Sequence, residues 1–210
     1  MASRKSIVLF LDDETTMRVM VLFCHPVETS FHASLHADVV ATLRAAGHEV
    51  DDCDLYAEGF NPVMSRDERL GYHEEPSNIE PVRGYVERLR RAEALVLCFP
   101  VWTFGPPAML KGFFDRVLMP GVAFDISDPA NVRPALTNIR RIAGITTYGR
   151  PRWMAIYMGD PPRRIITRYL PRLTGPGVQT EYYAHYHMNV ATEQSLARFR
   201  GRVIEAMQRF

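Results

Sequence analysis

Three short segments carry side chains suited to chemistry. The first is Cys24-His25-Pro26-Val27-Glu28-Thr29-Ser30-Phe31-His32, running from an apolar stretch into a helical one. Thr29 and Ser30 offer hydroxyls and His25 and His32 offer imidazoles. The start of the helix adds backbone N–H groups and a favourable dipole, so a phosphate could sit there. Alternatively, Ser30 is only a helix cap and the histidines are loop surface. No GxGxxG and no Walker lysine accompany the segment, which disfavours a Rossmann dinucleotide site and a P-loop.

The second segment is Phe99-Pro100-Val101-Trp102-Thr103-Phe104-Gly105-Pro106-Pro107. Prolines stiffen it, and Trp102 and Phe104 offer a flat apolar wall. An isoalloxazine ring needs such a wall, together with fixed N–H donors toward its N1, O2 and N5. The competing reading is a packed turn with its aromatics in the core. The third segment is Thr146-Thr147-Tyr148-Gly149-Arg150-Pro151. Its hydroxyl and backbone groups suit the polar pyrimidine edge of such a ring, or else simply end a strand at Gly149.

The elements that must position these segments alternate. Buried apolar runs at 18–24, 94–99 and 139–147, a more polar run at 48–55 and a last run at 178–186 read as strands. Helical stripes separate them. Ser30 to Ala46 buries Leu35, Val39, Val40 and Leu43 and stops at Gly47. A helix opened by Pro81 buries Val82, Tyr85, Val86 and Leu89. Residues 108–118 bury Met109, Leu110, Phe113, Phe114 and Val117. A helix from about Arg163 to Leu170 follows the Pro161-Pro162 pair. The last helix, opened by Asn189 or Thr192, buries Leu196, Phe199, Val203 and Met207. Residues 56–77 and 120–134 read as irregular. Strand–helix alternation implies a parallel sheet covered on both faces, and right-handed crossovers with the polar strand at an edge favour the order 2-1-3-4-5. In such sheets ligands bind beyond the carboxyl ends of the strands.

Composition agrees with one α/β domain. The chain has 210 residues, 47% hydrophobic and 23% charged, with a formal net charge of +1. Nothing in that balance points to a nucleic acid or to membrane insertion, and a cytoplasmic location is expected. Cys24, Cys53 and Cys98 lack metal-ligand spacing and read as buried free thiols, and no metal site is expected. Residues 1–16 read as an upstream extension, disordered or from an alternative start, with the domain running over 17–210.

The motifs His25-Pro26 through Ser30-Phe31, Gly47-His48-Glu49-Val50, Phe60-Asn61-Pro62, Phe99-Pro100-Val101-Trp102 and Leu110-Lys111-Gly112-Phe113-Phe114-Asp115-Arg116-Val117 resemble the NAD(P)H:quinone oxidoreductase family. That family includes the modulator of drug activity B proteins and the ancillary oxidoreductases of glutathione-gated potassium efflux systems. The resemblance covers about residues 18–149. It implies a three-layer flavodoxin-like α/β fold, FMN or FAD as cofactor, and NADPH or NADH as reductant. It also implies a quinone-like acceptor, two-electron transfer by hydride through the flavin, and a homodimer that completes the site. It implies His25, Thr29, Ser30 and Phe31 on the flavin phosphate side, where His32 is the neighbouring candidate. Pro100, Val101, Trp102, Thr103 and Phe104 would follow along the ring, and Thr146, Thr147 and Gly149 at its polar edge, with Tyr148 between them; Thr146 and Thr147 are the candidate donors to N1–O2.

Two departures stand out. His32 replaces the family's asparagine, and Tyr148 replaces the first of two glycines. Arg150, Arg152 and Trp153 then occupy a stretch the family keeps small. These arginines either read a nucleotide phosphate or are solvated surface beside a dimer contact. Rival readings are a flavodoxin-type electron carrier, which the net charge of +1 disfavours, a nucleotide-binding regulatory subunit of a membrane transporter, and an azo- or nitroreductase.

Overall fold

The structure, a computed structural model, describes residues 16–210. All but the last residue of the extension expected over 1–16 thus lies outside the described residues. Five strands pair in parallel throughout: β1 (Arg18–Phe23), β2 (Glu49–Asp54), β3 (Ala94–Val101), β4 (Arg141–Tyr148) and β5 (Gln179–His185). Their order across the sheet is β2-β1-β3-β4-β5, as the alternation of elements requires.

The inner strands are apolar on both sides because helices cover both faces. Val19, Val21, Val96, Ala143 and Ile145 face α1 (Phe31–Ala45) and the C-terminal helix Glu193–Met207. Met20, Leu22, Leu95, Leu97 and Ile142 face the opposite layer. The helices are set by their ends. Ser30 Oγ accepts from Ala33 N at 3.1 Å, and Gly47, at φ +93°, turns the chain out of α1. Thr192, not Asn189, caps the last helix, in a reciprocal box with Ser195.

The polar edge strand β2 is held by charge. Arg88 donates to both Asp51 carboxylate oxygens at 2.7–3.0 Å and to Glu58 at 2.7 Å. The excursion after β2 is less irregular than its composition implies. It contains α2 (Arg66–Leu70), closed by a capping box in which Ser65 and Glu68 bond reciprocally. Arg116, almost wholly buried, donates through Nε to Glu68 at 2.7 Å and ties the excursion down.

Other boundaries differ for local reasons. Pro81 lies inside a 3₁₀ turn, Ser77–Val82, and α3 (Arg83–Arg91) starts after it. Pro100 and Val101 extend β3 rather than starting the loop, because a strand's last residues can dispense with a donor. Residues 120–134 contain a short antiparallel pair, Phe124 with Pro134 and Asp125 with Arg133. After α4 (Ala108–Val117) and β4 come α5 (Arg152–Tyr157), which the sequence did not reveal, and α6 (Pro161–Arg164). From α6 the chain continues through a π-type turn, Ile165–Tyr169, and a 3₁₀ turn, Leu170–Leu173, instead of one helix to Leu170. Cys24, Cys53 and Cys98 are buried free thiols. No described helix is long and apolar enough to cross a membrane.

Gly112, in the middle of α4, packs directly on Pro62, and an added Cβ would overlap the Pro62 backbone and ring. Gly112→Ala should therefore lower stability by about 1–2 kcal/mol in urea unfolding, because overpacking exceeds the roughly 1 kcal/mol gained in helix propensity. An unchanged or raised midpoint would contradict this packing.

Candidate functional site

Because every strand runs the same way, the three chemically promising segments leave the sheet at one edge. The first and second touch: the His25 ring lies edge-on to Trp102, centroids 5.8 Å apart. The first and third touch through His32 Nδ1 and Thr147 Oγ1, 3.4 Å apart.

In the first segment, His25 is half-buried and its Nδ1 accepts from Val27 N at 3.0 Å, while Thr29 is exposed. The N–H groups of Phe31 and His32, at the first turn of α1, have no partner among the described residues. His32 is not loop surface. It is only 3% exposed, and its Nε2 is buried without a partner among the described residues. Burial, followed by the neighbouring His25, pushes its pKa down to about 3, so the ring is neutral. Its Nε2 is thus a buried polar atom left unused. Such an orphan costs about 1–3 kcal/mol.

In the second segment, Trp102 and Gly105 close on each other through Trp102 N to Gly105 O at 3.0 Å and Gly105 N to Trp102 O at 2.9 Å. The two residues between them, Thr103 (φ +49°) and Phe104 (φ +59°), are both left-handed. Glycine or asparagine normally fills such a turn, and a β-branched threonine there is strained by about 1–3 kcal/mol. The Thr103 and Phe104 N–H groups have no partner among the described residues. Trp102 is 42% exposed, Phe104 and Val101 are half-buried and Pro100 is buried. A rigid aromatic shelf with two free donors results.

In the third segment, alternation along β4 divides the side chains. Thr147 points toward His32. Thr146 and Tyr148 point to the opposite layer, where both are buried. Tyr148 Oη donates to Asp160 Oδ1 at 2.5 Å and meets Tyr182 Oη at 2.5 Å, and Thr146 Oγ1 donates to Tyr182 Oη at 3.0 Å. A carboxylate only accepts, so the chain has one direction: Thr146 donates to Tyr182, Tyr182 to Tyr148, and Tyr148 to Asp160. Burial holds both tyrosine hydroxyls far above their ordinary pKa. Tyr186 stacks on Tyr148 at 4.7 Å. Asp160 sits at φ +44°, another left-handed residue at this edge. Gly149 is half-buried against Asn189, whose Oδ1 would lie 3.3 Å from an added Cβ.

Asp160, Tyr182 and Tyr186 were missed by the sequence reasoning, as was His185, whose Nε2 lies 3.3 Å from Ser195 Oγ and whose Nδ1 is buried without a partner among the described residues. The Gly159-Asp160-Pro161-Pro162 turn was the available signal. A cavity of about 570 Å³ lies at the opposite edge, lined by Arg140, Arg141 and Arg209 among others. Glu93, Glu181 and Glu205 already neutralise those arginines. The open carboxyl edge is the better candidate, since unused donors and strain gather there.

Residues 17–201 match the family model described as "Flavodoxin-like fold". The chain is 32% identical to NAD(P)H dehydrogenase (quinone) 1 of Rattus norvegicus over 148 residues, covering 63% of this chain and 54% of that protein. It thus spans about half the length of the curated relatives it matches. Among solved structures, an NAD(P)H:quinone oxidoreductase from Methanothermobacter marburgensis superposes with a TM-score of 0.76 at 25% identity, covering 92% of this chain and 98% of that one. An FMN-dependent NADH-azoreductase from Bacillus anthracis str. Ames Ancestor, in complex with FMN, has a TM-score of 0.73 at 15% identity, covering 92% and 98%, and shares the fold.

His32 gives the site a pH signature. Its folded pKa of about 3 lies below the ordinary 6.5, so the unfolded chain takes up a proton that the folded chain refuses. Stability should fall as pH drops from about 6.5 toward 3, with His32 adding a slope of up to about 1.4 kcal/mol per pH unit. Urea unfolding of His32→Asn should show a shallower acid slope than the parent. Equal slopes would mean that His32 is protonated in the fold.

Proposed function

The chain belongs to the flavodoxin-like fold family, and from that premise we propose that it is a flavin-dependent NAD(P)H oxidoreductase passing two electrons to a quinone-like acceptor. One observation carries the reading. Unused donors at Phe31 N, His32 N, Thr103 N and Phe104 N, together with the unpartnered His32 Nε2, gather at a single sheet edge, beside an exposed tryptophan. A flavin fits that pattern: its phosphate meets the helix start, and its ring meets the aromatic shelf.

In this reading His25, Thr29, Ser30, Phe31 and His32 hold the phosphate of FMN, or the pyrophosphate of FAD. The His32 orphan is the clearest sign of fit. Pro100, Val101, Trp102, Thr103 and Phe104 wall the ring, and the fixed left-handed turn keeps its two N–H groups aimed without reorganisation. Thr147 and the Gly149 backbone meet the polar edge. Thr146 and Tyr148 act from behind: their hydroxyl protons are committed toward Asp160, so they hold β4 and β5 in place. The flavin, when bound, supplies the two-electron carrier between NADPH or NADH and the acceptor. The protein's own work is to orient it and keep its donors dry. The protein is proposed to act in the cytoplasm as a homodimer, with the whole activity a property of the assembled enzyme.

Ser30→Ala removes both a cap and a phosphate ligand. The cap alone costs about 0.5–2 kcal/mol of stability. Reconstituted Ser30→Ala should also require more flavin for half-maximal quinone-dependent NAD(P)H oxidation, by roughly tenfold for the loss of a hydrogen bond to a charged group. Parent protein that oxidises neither nucleotide in the presence of flavin and a benzoquinone would sink the proposal.

Arg150 and Arg152, just past Gly149 and exposed, suit the 2′-phosphate of NADPH. Arg150→Ala or Arg152→Ala should lower kcat/KM for NADPH more than tenfold and leave NADH nearly unchanged. Equal small losses with both nucleotides would leave these arginines without that role.

A further inference from the structure

The chain between β4 and β5 is one-sided in charge. Residues 150–172 carry Arg150, Arg152, Arg163, Arg164, Arg168 and Arg172 against a single carboxylate, Asp160. Asp160 is buried and already accepts from Tyr148. All six arginines are exposed, and none pairs with a carboxylate among the described residues. The whole chain is nearly neutral, at +1, so this stretch concentrates positive charge in one place.

Three of the six stand at the ends of β4 and β5, beside the candidate flavin site. Arg150 follows Gly149, and its carbonyl accepts from His187 N at 3.0 Å, which ties the two strand ends together. Tyr186, next to His187, stacks on Tyr148 at 4.7 Å. Burial raises the Tyr186 pKa and Asp160 adds to the rise, while Arg163 and Arg152 oppose it, so both guanidiniums lie near that hydroxyl. Arg163 also lies over the Tyr182 ring, 5.4 Å from its centroid. A guanidinium held through its face keeps its N–H edges available, and two parallel N–H groups suit a carboxylate or a sulfonate. Arg172 lies at the far end of the stretch. Its neighbour Leu173 accepts from Leu136 N, and Gly175 already lines the cavity at the opposite edge. Arg150 and Arg152 have a role above with the 2′-phosphate of NADPH, but Arg163 has none.

We propose that the acceptor is an aromatic quinone-like compound bearing a carboxylate or sulfonate, and that Arg163 binds this acidic group and so determines specificity. The proposal names the substrate class of the site above and rests on the oxidoreductase reading. The reaction itself is unchanged. NAD(P)H gives up a hydride, which carries two electrons, solvent supplies one further proton, and the quinone becomes a hydroquinone as oxidised nucleotide leaves. The acidic group takes no part in those steps and only anchors the ring. A neutral quinone leaves the Arg163 N–H edges to water, so the arginine discriminates between acceptors by charge.

The test compares a naphthoquinone sulfonate with the unsubstituted naphthoquinone, using flavin-loaded protein and saturating NADH. The two acceptors differ in potential as well as in charge, so the readout is the ratio of their kcat/KM values in each variant relative to the parent. Arg163→Gln should lower the sulfonate-to-neutral ratio at least about fivefold, the scale of one exposed ion pair. The gap between parent and variant should narrow when NaCl is raised from about 20 to about 500 mM, because salt screens an exposed contact. Arg163→Lys should keep most of the ratio, and Arg172→Gln, at the far end of the stretch, should keep all of it. Far-UV circular dichroism checks the fold of each variant. An unchanged ratio in Arg163→Gln overturns the proposal, and so does an equal fall in Arg172→Gln, which would make the effect a diffuse field. If Arg163→Gln instead lowers efficiency with NADPH but not with NADH, at an unchanged acceptor ratio, Arg163 belongs to the nucleotide and the proposal also falls. In all these cases a parent that reduces the neutral naphthoquinone keeps the oxidoreductase reading intact. A parent that reduces neither acceptor defeats that reading, and this proposal with it.

Discussion

Parallel pairing across all five strands is the constraint from which the rest of the structure follows. A parallel strand cannot return through a tight turn, so each connection must cross a face of the sheet, and each crossing helix must begin near the carboxyl edge. That places the start of α1, the Trp102–Gly105 turn and the Thr146–Gly149 strand end side by side, although they are separated by some 70 and 40 positions in the sequence. After the arginines that open β1 and β4, it also requires β1, β3 and the first part of β4 to be apolar on both faces, and polar side chains enter β4 only toward its carboxyl end, at Thr146, Thr147 and Tyr148. The edge strands carry the other polar residues, where Arg88 compensates Asp51 on β2 and Tyr182 of β5 finds hydroxyl partners in Thr146 and Tyr148.

The carboxyl edge departs from local preference in the same few residues that bear on function. Thr103, Phe104 and Asp160 hold left-handed backbones that glycine would adopt without strain, and His32 and His185 bury ring nitrogens without partners among the described residues. Each feature costs stability in isolation, and the well-packed layers on both faces of the sheet offset that cost. The Thr146–Tyr182–Tyr148–Asp160 chain contributes differently. Fully engaged polar groups in a buried network fix one geometry, here that of the β4 and β5 ends and of the turn before α6. Thr147 keeps its hydroxyl at the open side because alternation along the strand sends its neighbours to the other face.

Much of this was legible in the sequence. The continuous apolar runs, the Ser30 cap, the Gly47 stop and the helical stripes of α1, α4 and the last helix all appear where patterning puts them, and they suffice for sheet order and for the edge where ligands would gather. What was not legible depends on contacts between distant segments or on backbone geometry. Tyr182 meets Tyr148 only through the register of β5 on β4, and Asp160 meets it only through the turn before α6. Nothing in Thr103-Phe104 announces left-handed backbones, since the residues that usually adopt them are absent. The region after Pro151 is arginine-rich and broken into single turns, too short for a periodic stripe to develop. His32 is of a residue type common in loops, and its position in the first turn of α1 buries it.

The central claim is that this edge holds a flavin, and the most direct measurement is a titration of FMN and of FAD into flavin-free protein, followed by quenching of flavin fluorescence and by the visible spectrum after desalting. The account predicts saturable binding of at least one of them in the micromolar range or tighter, with the flavin bands retained on the protein. Titrations that leave the fluorescence unquenched, with both flavins lost on desalting from folded protein, would contradict it.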